Sequence, residues 1–177
     1  MFEAMKVTWT ALPTPVGTLR LVESAGQPLV IEFAQKGRRM RWMDRLRERK
    51  PDLPIDAGPC PATAGWLAAY FQRRPRPVHY PEAVTELFAP SPAEEAVWRA
   101  LCRIPVGETR SYEAIAEETG LTARVVGQAS GANHLAVYIP CHRVVGKDGA
   151  LVGYGGGLTR KRWLLDHELR MTGLVLS

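Results

Sequence analysis

The chain has 177 residues, enough for one large domain or two small ones, and its 46% hydrophobic and 23% charged content is that of a globular protein with a sizeable core. No run approaches the roughly 20 apolar residues of a membrane helix, and the opening MFEAMKVTWT lacks the apolar stretch of a secretion signal. A net charge of +5 suits a polyanionic partner such as nucleic acid without requiring one.

Residues 5–34 read as β-structure. Apolar and polar residues interleave around Leu19-Arg20-Leu21 and from Leu29 to Phe33, with TPVG and SAGQ as turns. Residues 39–49 place Met40, Met43 and Leu46 three apart, a short amphipathic helix with an arginine-rich outer face. The eight Lys and Arg between 36 and 50 either touch a phosphate backbone or form a solvated face. TAGWLAAYFQRR repeats apolar residues at 66, 67, 70 and 71, a second helix. Five prolines between 75 and 92 then read as a linker without regular structure.

Ser91, Pro92 and Glu94 form a capping signal, and Val97, Ala100, Leu101 and Ile104 line one face of the helix that follows. A second helix, SYEAIAEETG, is capped by Ser111 and stopped by Gly120. A third, ARVVGQASGAN, is capped by Thr122. Two short helices around a glycine turn are either a helix-turn-helix or merely packed neighbours. Arg124 stands where a recognition helix meets DNA. The small residues from Gly127 to Ala132 allow close approach, to a narrow minor groove or to an adjacent helix. TRKRWLLDHELR, capped by Thr159, is the last helix.

YIPCHRVVGKDG, residues 138–149, carries the chemistry. Cysteines 60, 102 and 141 are odd in number and unpaired in spacing, as in a reducing compartment. Cys102 reads as a small core residue and Cys60 as part of a proline-rich loop. No CxxC, HxxxH or HExxH is present and the four histidines are scattered, so no metal is expected. A cysteine attacks as the thiolate, and a free thiol has a pKa of about 8.5, so Cys141 needs a base. His142 serves if the backbone turns at Pro140, since neighbours in an extended chain face apart. With Glu168 behind it, His142 would hold the thiol partly ionised. GYGGG at 153–157 either admits a flat ligand close to the backbone or is a flexible surface loop; it is no phosphate loop. A Cys–His hydrolase remains open on these residues, but it would need an oxyanion hole and leaves Arg124 without a role.

IPCHRVVGKDG, GYGGG and RKRWLLDHE, extended upstream by IPVGETRSY and ARVVGQASGANHLAVYIPCHRVV, resemble the O6-alkylguanine-DNA alkyltransferase family. The resemblance is close over 91–169 and looser over 7–90. It implies an α+β fold: a small N-terminal α/β domain (1–75) with an antiparallel, ribonuclease-H-like sheet, a linker (76–90), and a helical, winged-helix-like C-terminal domain (91–177) with the helix-turn-helix.

The resemblance also implies a DNA repair methyltransferase, monomeric and cooperative on DNA, bound through the minor groove, without cofactor or metal, in the cytoplasm and at the nucleoid in a bacterium. It would flip O6-alkylguanine, and O4-alkylthymine, out of double-stranded DNA and pass the alkyl group irreversibly to Cys141, once per molecule. His142 would be the base acting through a water, Glu168 its partner, and Asn133 the tie between recognition helix and active-site turn. Arg124 would enter the duplex, with Thr122, Ala123, Gly127 and Ala129 along the DNA-binding helix. Tyr112 would press on the target phosphate and, with Val144, Tyr154, Gly155 and Gly156, surround the flipped base; Arg143 would be structural. The chain departs from the family at Ala93 and Glu94, at His134 in place of a proline, and at Gly155 in place of a serine, which bears on adduct size. The alternative is a non-catalytic, alkyltransferase-like lesion-binding protein, but such relatives replace the cysteine kept here as Cys141.

Overall fold

The computed structural model describes residues 6–35 and 40–173. Three strands open the chain: β1 (Val7–Leu12), β2 (Leu19–Ser24) and β3 (Gln27–Phe33). Ala25 and Gly26, both at positive φ, turn β2 into β3, as the SAGQ reading expects. The sheet order is β3-β2-β1-β4, where β4 (Ile55–Ala57) pairs with β1 in parallel. The first three strands are antiparallel, as expected; β4, a three-residue edge strand too short to show alternation, adds one parallel pair. Alternation also fails along β2, where Leu21 to Ser24 are buried in succession because both faces are covered.

Helix α1 (Arg41–Arg49) buries Trp42 and Leu46, four apart, rather than the expected Met40–Met43–Leu46 line. Trp42 Nε1 donates to Glu32 on β3 (3.0 Å). The expected start at residue 39 lies outside the described residues, as do three of the basic side chains noted there, at 36, 38 and 39. Helix α2 (Pro61–Phe71) follows and buries Leu67 and Tyr70. The segment expected as a structureless linker contains helix α3 (Glu82–Phe88), which buries Val84, Leu87 and Phe88 against the core. Its prolines lie outside the turns: Pro81 precedes the first turn and Pro90 follows the left-handed Ala89, so no helical hydrogen bond is lost.

The second half follows its sequence signals closely. Helix α4 (Pro92–Cys102) carries the full Ser91–Glu94 capping box, with Val97, Ala100 and Leu101 inside. The short strand β5 (Arg110–Ser111) leads into α5 (Tyr112–Thr119), capped by Ser111 and closed by the left-handed Gly120. Helix α6 (Ala123–Ala132) is capped by Thr122. Then come a single 3-10 turn at Cys141–Arg143, strand β6 (Val144–Val145) parallel to β5, and helix α7 (Leu158–Met171). Thr159 does not cap α7. The helix begins two residues earlier, after Gly157 at φ +90°, and the Gly157 carbonyl accepts from Lys161 N (3.1 Å).

One apolar cluster runs through both halves, from Leu21 and Ile31 to Leu101, Ile139 and Leu164. Backbone bonds cross as well: Ile31 N donates to the His134 carbonyl (2.8 Å), and Ala136 N to the Ile31 carbonyl (2.8 Å). Among the described residues no helix is long and apolar enough to cross a membrane.

Candidate active site

Pro140 turns the chain, so Cys141 and His142 share a 3-10 turn instead of an extended run. Cys141 is half-buried and His142 fully buried. Just upstream, Val137 sits at φ +71° while fully buried, a conformation disfavoured for a β-branched residue. Asn133, at the end of α6, holds this segment in place. Its Nδ2 donates to the Ile139 carbonyl (2.9 Å) and to Cys141 Sγ (3.2 Å), and its Oδ1 accepts from Leu135 N (2.9 Å).

Behind the turn lies a buried charge network centred on Glu168 of α7. Arg143 grips its carboxylate with two bonds (2.8 and 2.9 Å), and His142 Nε2 bonds to Oε1 (2.7 Å). Tyr70 of α2 donates to the same oxygen (2.8 Å) and Gly107 N to the other (3.3 Å). Burial alone would raise the Glu168 pKa; His142 and Arg143 together outweigh it and hold the carboxyl well below its usual range. Burial keeps His142 neutral, against the pull of Glu168. A neutral ring facing a carboxylate carries its proton on Nε2. Its Nδ1 is then a bare acceptor, buried and without a protein partner.

The thiol itself differs from expectation. Burial raises the Cys141 pKa, and the Asn133 donor and the Lys161 charge only partly offset this. Burial thus favours the neutral thiol over the partly ionised one expected. Cys102, pushed up to about 11 by burial, and Cys60, also raised by burial, have no base beside them in the sequence.

A cavity of about 210 Å³ opens at Cys141, and Asn133, Tyr154, Gly155 and Gly156 line it. Val144 and Tyr112 do not: Val144 is fully buried, and Tyr112 lies between α6 and the glycine loop. A methyl on Gly127 or Gly153 would sit 3.9 Å from the Tyr112 ring or hydroxyl respectively. On α6, Arg124 and Gln128 are exposed, Thr122 is exposed at the cap, and Ala123 and Gly127 are half-buried. Ala129 is the correction: it faces inward with Val126, three residues before it, and its carbonyl accepts from Trp98 Nε1 (2.8 Å), so it cannot meet DNA.

Several site residues escaped the sequence reading. Lys161 is fully buried, and its ammonium donates to the carbonyls of Val144 (2.6 Å) and Val152 (2.7 Å), joining the active-site strand to the glycine loop. The signal was present, since Lys161 lies on the inward stripe of Leu164 and Glu168. Ile31, Phe33 and Trp42 wall the cavity from the N-terminal half. A Cβ on Gly156 would lie 2.4 Å from the Phe33 ring, so only glycine passes there. Arg160 covers that ring and donates to the Val16 carbonyl (2.7 Å) and the Gly156 carbonyl (2.9 Å). Among the described residues no group of three or more His, Cys, Asp or Glu could hold a metal.

Residues 92–170 match the family model described as 6-O-methylguanine DNA methyltransferase, DNA binding domain. A Salmonella typhimurium protein named methylated-DNA–protein-cysteine methyltransferase is 35% identical over 161 residues, 89% of this chain and 92% of that protein. A Mycobacterium bovis protein of the same name is 54% identical over 77 residues; that match covers 42% of this chain and about half of the relative, 47%. The crystal structure of Mycobacterium tuberculosis OGT in complex with DNA superposes with a TM-score of 0.72 at 31% identity, covering 94% of each chain. The family-model match over the second half, the relative matched over nearly its whole length and the shared fold agree: the chain belongs to the methylated-DNA–protein-cysteine methyltransferase family.

Proposed function

We propose that this protein repairs O6-alkylguanine in double-stranded DNA by moving the alkyl group to Cys141, in a single irreversible turnover. One observation carries the reading: a thiol at a cavity mouth, donated to by Asn133, precedes a neutral histidine whose outer nitrogen is bare and whose inner nitrogen is bonded to an ionised Glu168. A water between Cys141 and His142 Nδ1 would carry the thiol proton to the imidazole, with Glu168 stabilising the charged ring. The sulfur would attack the alkyl carbon in line, forming the S–C bond as the C–O6 bond breaks. Guanine would leave protonated, returning the ring to neutrality. With burial raising the Cys141 pKa in the free protein, proton removal would accompany substrate binding.

The alkyl carbon lies inside the base stack, so the nucleotide has to be flipped out. Arg124, exposed at the start of α6, would fill its place from the minor groove, with Thr122, Ala123 and Gly127 beside the backbone. Tyr112 would sit at the mouth of the glycine loop, and Tyr154 to Gly156 would take the base. The same chemistry extends to O4-alkylthymine. On this reading the protein would act as a monomer able to cluster along DNA. A non-catalytic lesion binder would need no Cys141 in this setting.

Excess duplex bearing O6-methylguanine, followed by intact mass measurement, tests the proposal. The mass should rise by one methyl per molecule and stop, with peptide mapping placing it on Cys141. Cys141→Ser should take none, while Cys60→Ala and Cys102→Ala should react normally. Repeated turnover, or label on another cysteine, sinks it.

A further inference from the structure

The wall of the cavity beside Cys141 carries polar atoms that the fold leaves unused. Ser130 Oγ, His134 Nε2 and Tyr154 Oη are all buried without a protein partner, and all three residues line this one cavity. Buried polar groups in native proteins nearly always have partners, so three orphans around one space point to a ligand.

His134 is fixed for such a role. Its ring packs between Phe88 (4.6 Å between centroids) and Trp98 (5.4 Å, edge-on). The Ala132 backbone bonds to the ring, and since Nε2 is unpaired this bond belongs to Nδ1. Burial first, then the Arg45 charge, lowers its pKa to about 4, so Nε2 is a bare acceptor at neutral pH. Ser130 lies on the last turn of α6, one turn before His134, and can donate or accept. Both residues line the same cavity as Cys141, and Asn133, on the same stretch of chain, donates to Cys141 Sγ at 3.2 Å.

The formal charges on this wall are mostly spoken for. Glu32 holds Arg20 and the Trp42 indole, and Arg45 holds Glu94. Arg41 stands exposed at the rim. The interior of the cavity therefore offers neutral hydrogen bonds.

We propose that Ser130 and His134 form a polar subsite for the far end of the O6 substituent, selecting alkyl groups that end in a neutral hydroxyl. This rests on the alkyl-transfer reading above. The adduct hydroxyl donates to His134 Nε2 and accepts from Ser130 Oγ, while the carbon attached to O6 faces Cys141.

The test measures single-turnover transfer from duplexes carrying O6-(2-hydroxyethyl)guanine and O6-(3-hydroxypropyl)guanine, each against its alkane isostere, O6-propylguanine and O6-butylguanine. Each rate is divided by the same variant's rate with O6-methylguanine. The hydroxyl-to-alkane ratio at one length or both should fall about fivefold in Ser130→Ala and in His134→Phe, the share of one neutral hydrogen bond. Phenylalanine keeps the packed ring and removes only the acceptor; if that variant fails to fold, Ser130→Ala carries the test alone. Unchanged ratios at both lengths overturn the subsite. Faster transfer of O6-carboxymethylguanine than of either hydroxyl adduct also overturns it, in favour of an anion site at Arg41. Absence of methyl transfer in the unsubstituted protein would instead sink the alkyl-transfer reading, and the subsite with it.

Discussion

The two halves of this chain relate to their sequence in opposite ways. From Ser91 onward, nearly every element announces itself: a capping box, Ser111 and Thr122 caps, a left-handed Gly120 stop. Before that point the chain hides a helix among prolines and a strand of three residues. Local signals dominate where helices must start and stop at fixed places to present Arg124, Asn133 and Cys141. In the first half, β4 and α3 are decided by long-range pairing and packing, and these leave no local trace. Yet the less legible half supplies Tyr70 to Glu168, and Phe33 and Trp42 to the cavity wall. It forms part of the site.

The largest effect expected tests the buried network that joins the halves. Arg143→Ala leaves the Glu168 carboxylate buried without its two-bonded partner, which costs about 3–5 kcal/mol. Urea unfolding should show it, together with lost transfer. A loss under 1 kcal/mol would mean that water reaches Glu168 and the two halves are only loosely coupled.

Arg124→Ala comes next and belongs to the second half alone. It should slow transfer from duplex DNA by about one to two orders of magnitude, since flipping costs a few kcal/mol. Reaction with free O6-benzylguanine, which needs no flipping, should be nearly unchanged. Equal slowing of both reactions would assign Arg124 to the fold.

Tyr70→Phe sharpens the comparison from the other side. Removing a hydrogen bond to a charged group costs about 1.5–3 kcal/mol. It also raises the Glu168 pKa, so transfer should begin to fail at a higher pH than in the unsubstituted protein. A drop in melting temperature with an unmoved pH profile would reduce Tyr70 to a packing residue.

The smallest effect is on acid stability. His134 has a folded pKa of about 4 against about 6.5 unfolded. The unfolded chain therefore binds the proton first: this contribution is full above about pH 6.5 and is lost as pH falls toward 4. His142, also lowered, acts in the same direction. Glu168, depressed, loses its contribution only as pH falls below about 4.3. Urea midpoints between pH 7 and 5 should fall less in His134→Phe than in the unsubstituted protein.

How much was legible follows from these residues. The PCHRV turn and the Glu168 carboxylate stand out as residue types that a thiol needs, whereas the Asn133 tie was legible only through the family resemblance of residues 91–169. Lys161 could have been found from the stripe it shares with Leu164 and Glu168. Tyr70 could not: it is 98 residues from its partner, and nothing near it marks the contact. Ala129 was misplaced because small residues read alike whether they face DNA or the Trp98 indole. Thr159 was misread because a threonine near a helix start suggests a cap even where a glycine has already begun the helix.

One backbone contact has a meaning apart from chemistry. β3 is the outer strand of its sheet, and Leu29, Val30 and Ile31 are a short, uncharged, strand-forming run. An open edge of that kind is a template for another chain. Here the two polar groups of Ile31 are taken by His134 and Ala136, the residues that lead into the reactive turn. The approach to Cys141 thus also guards the protein against joining its neighbours edge to edge. A fragment ending before residue 133 would lose that guard, and β3 would be the place where it begins to aggregate.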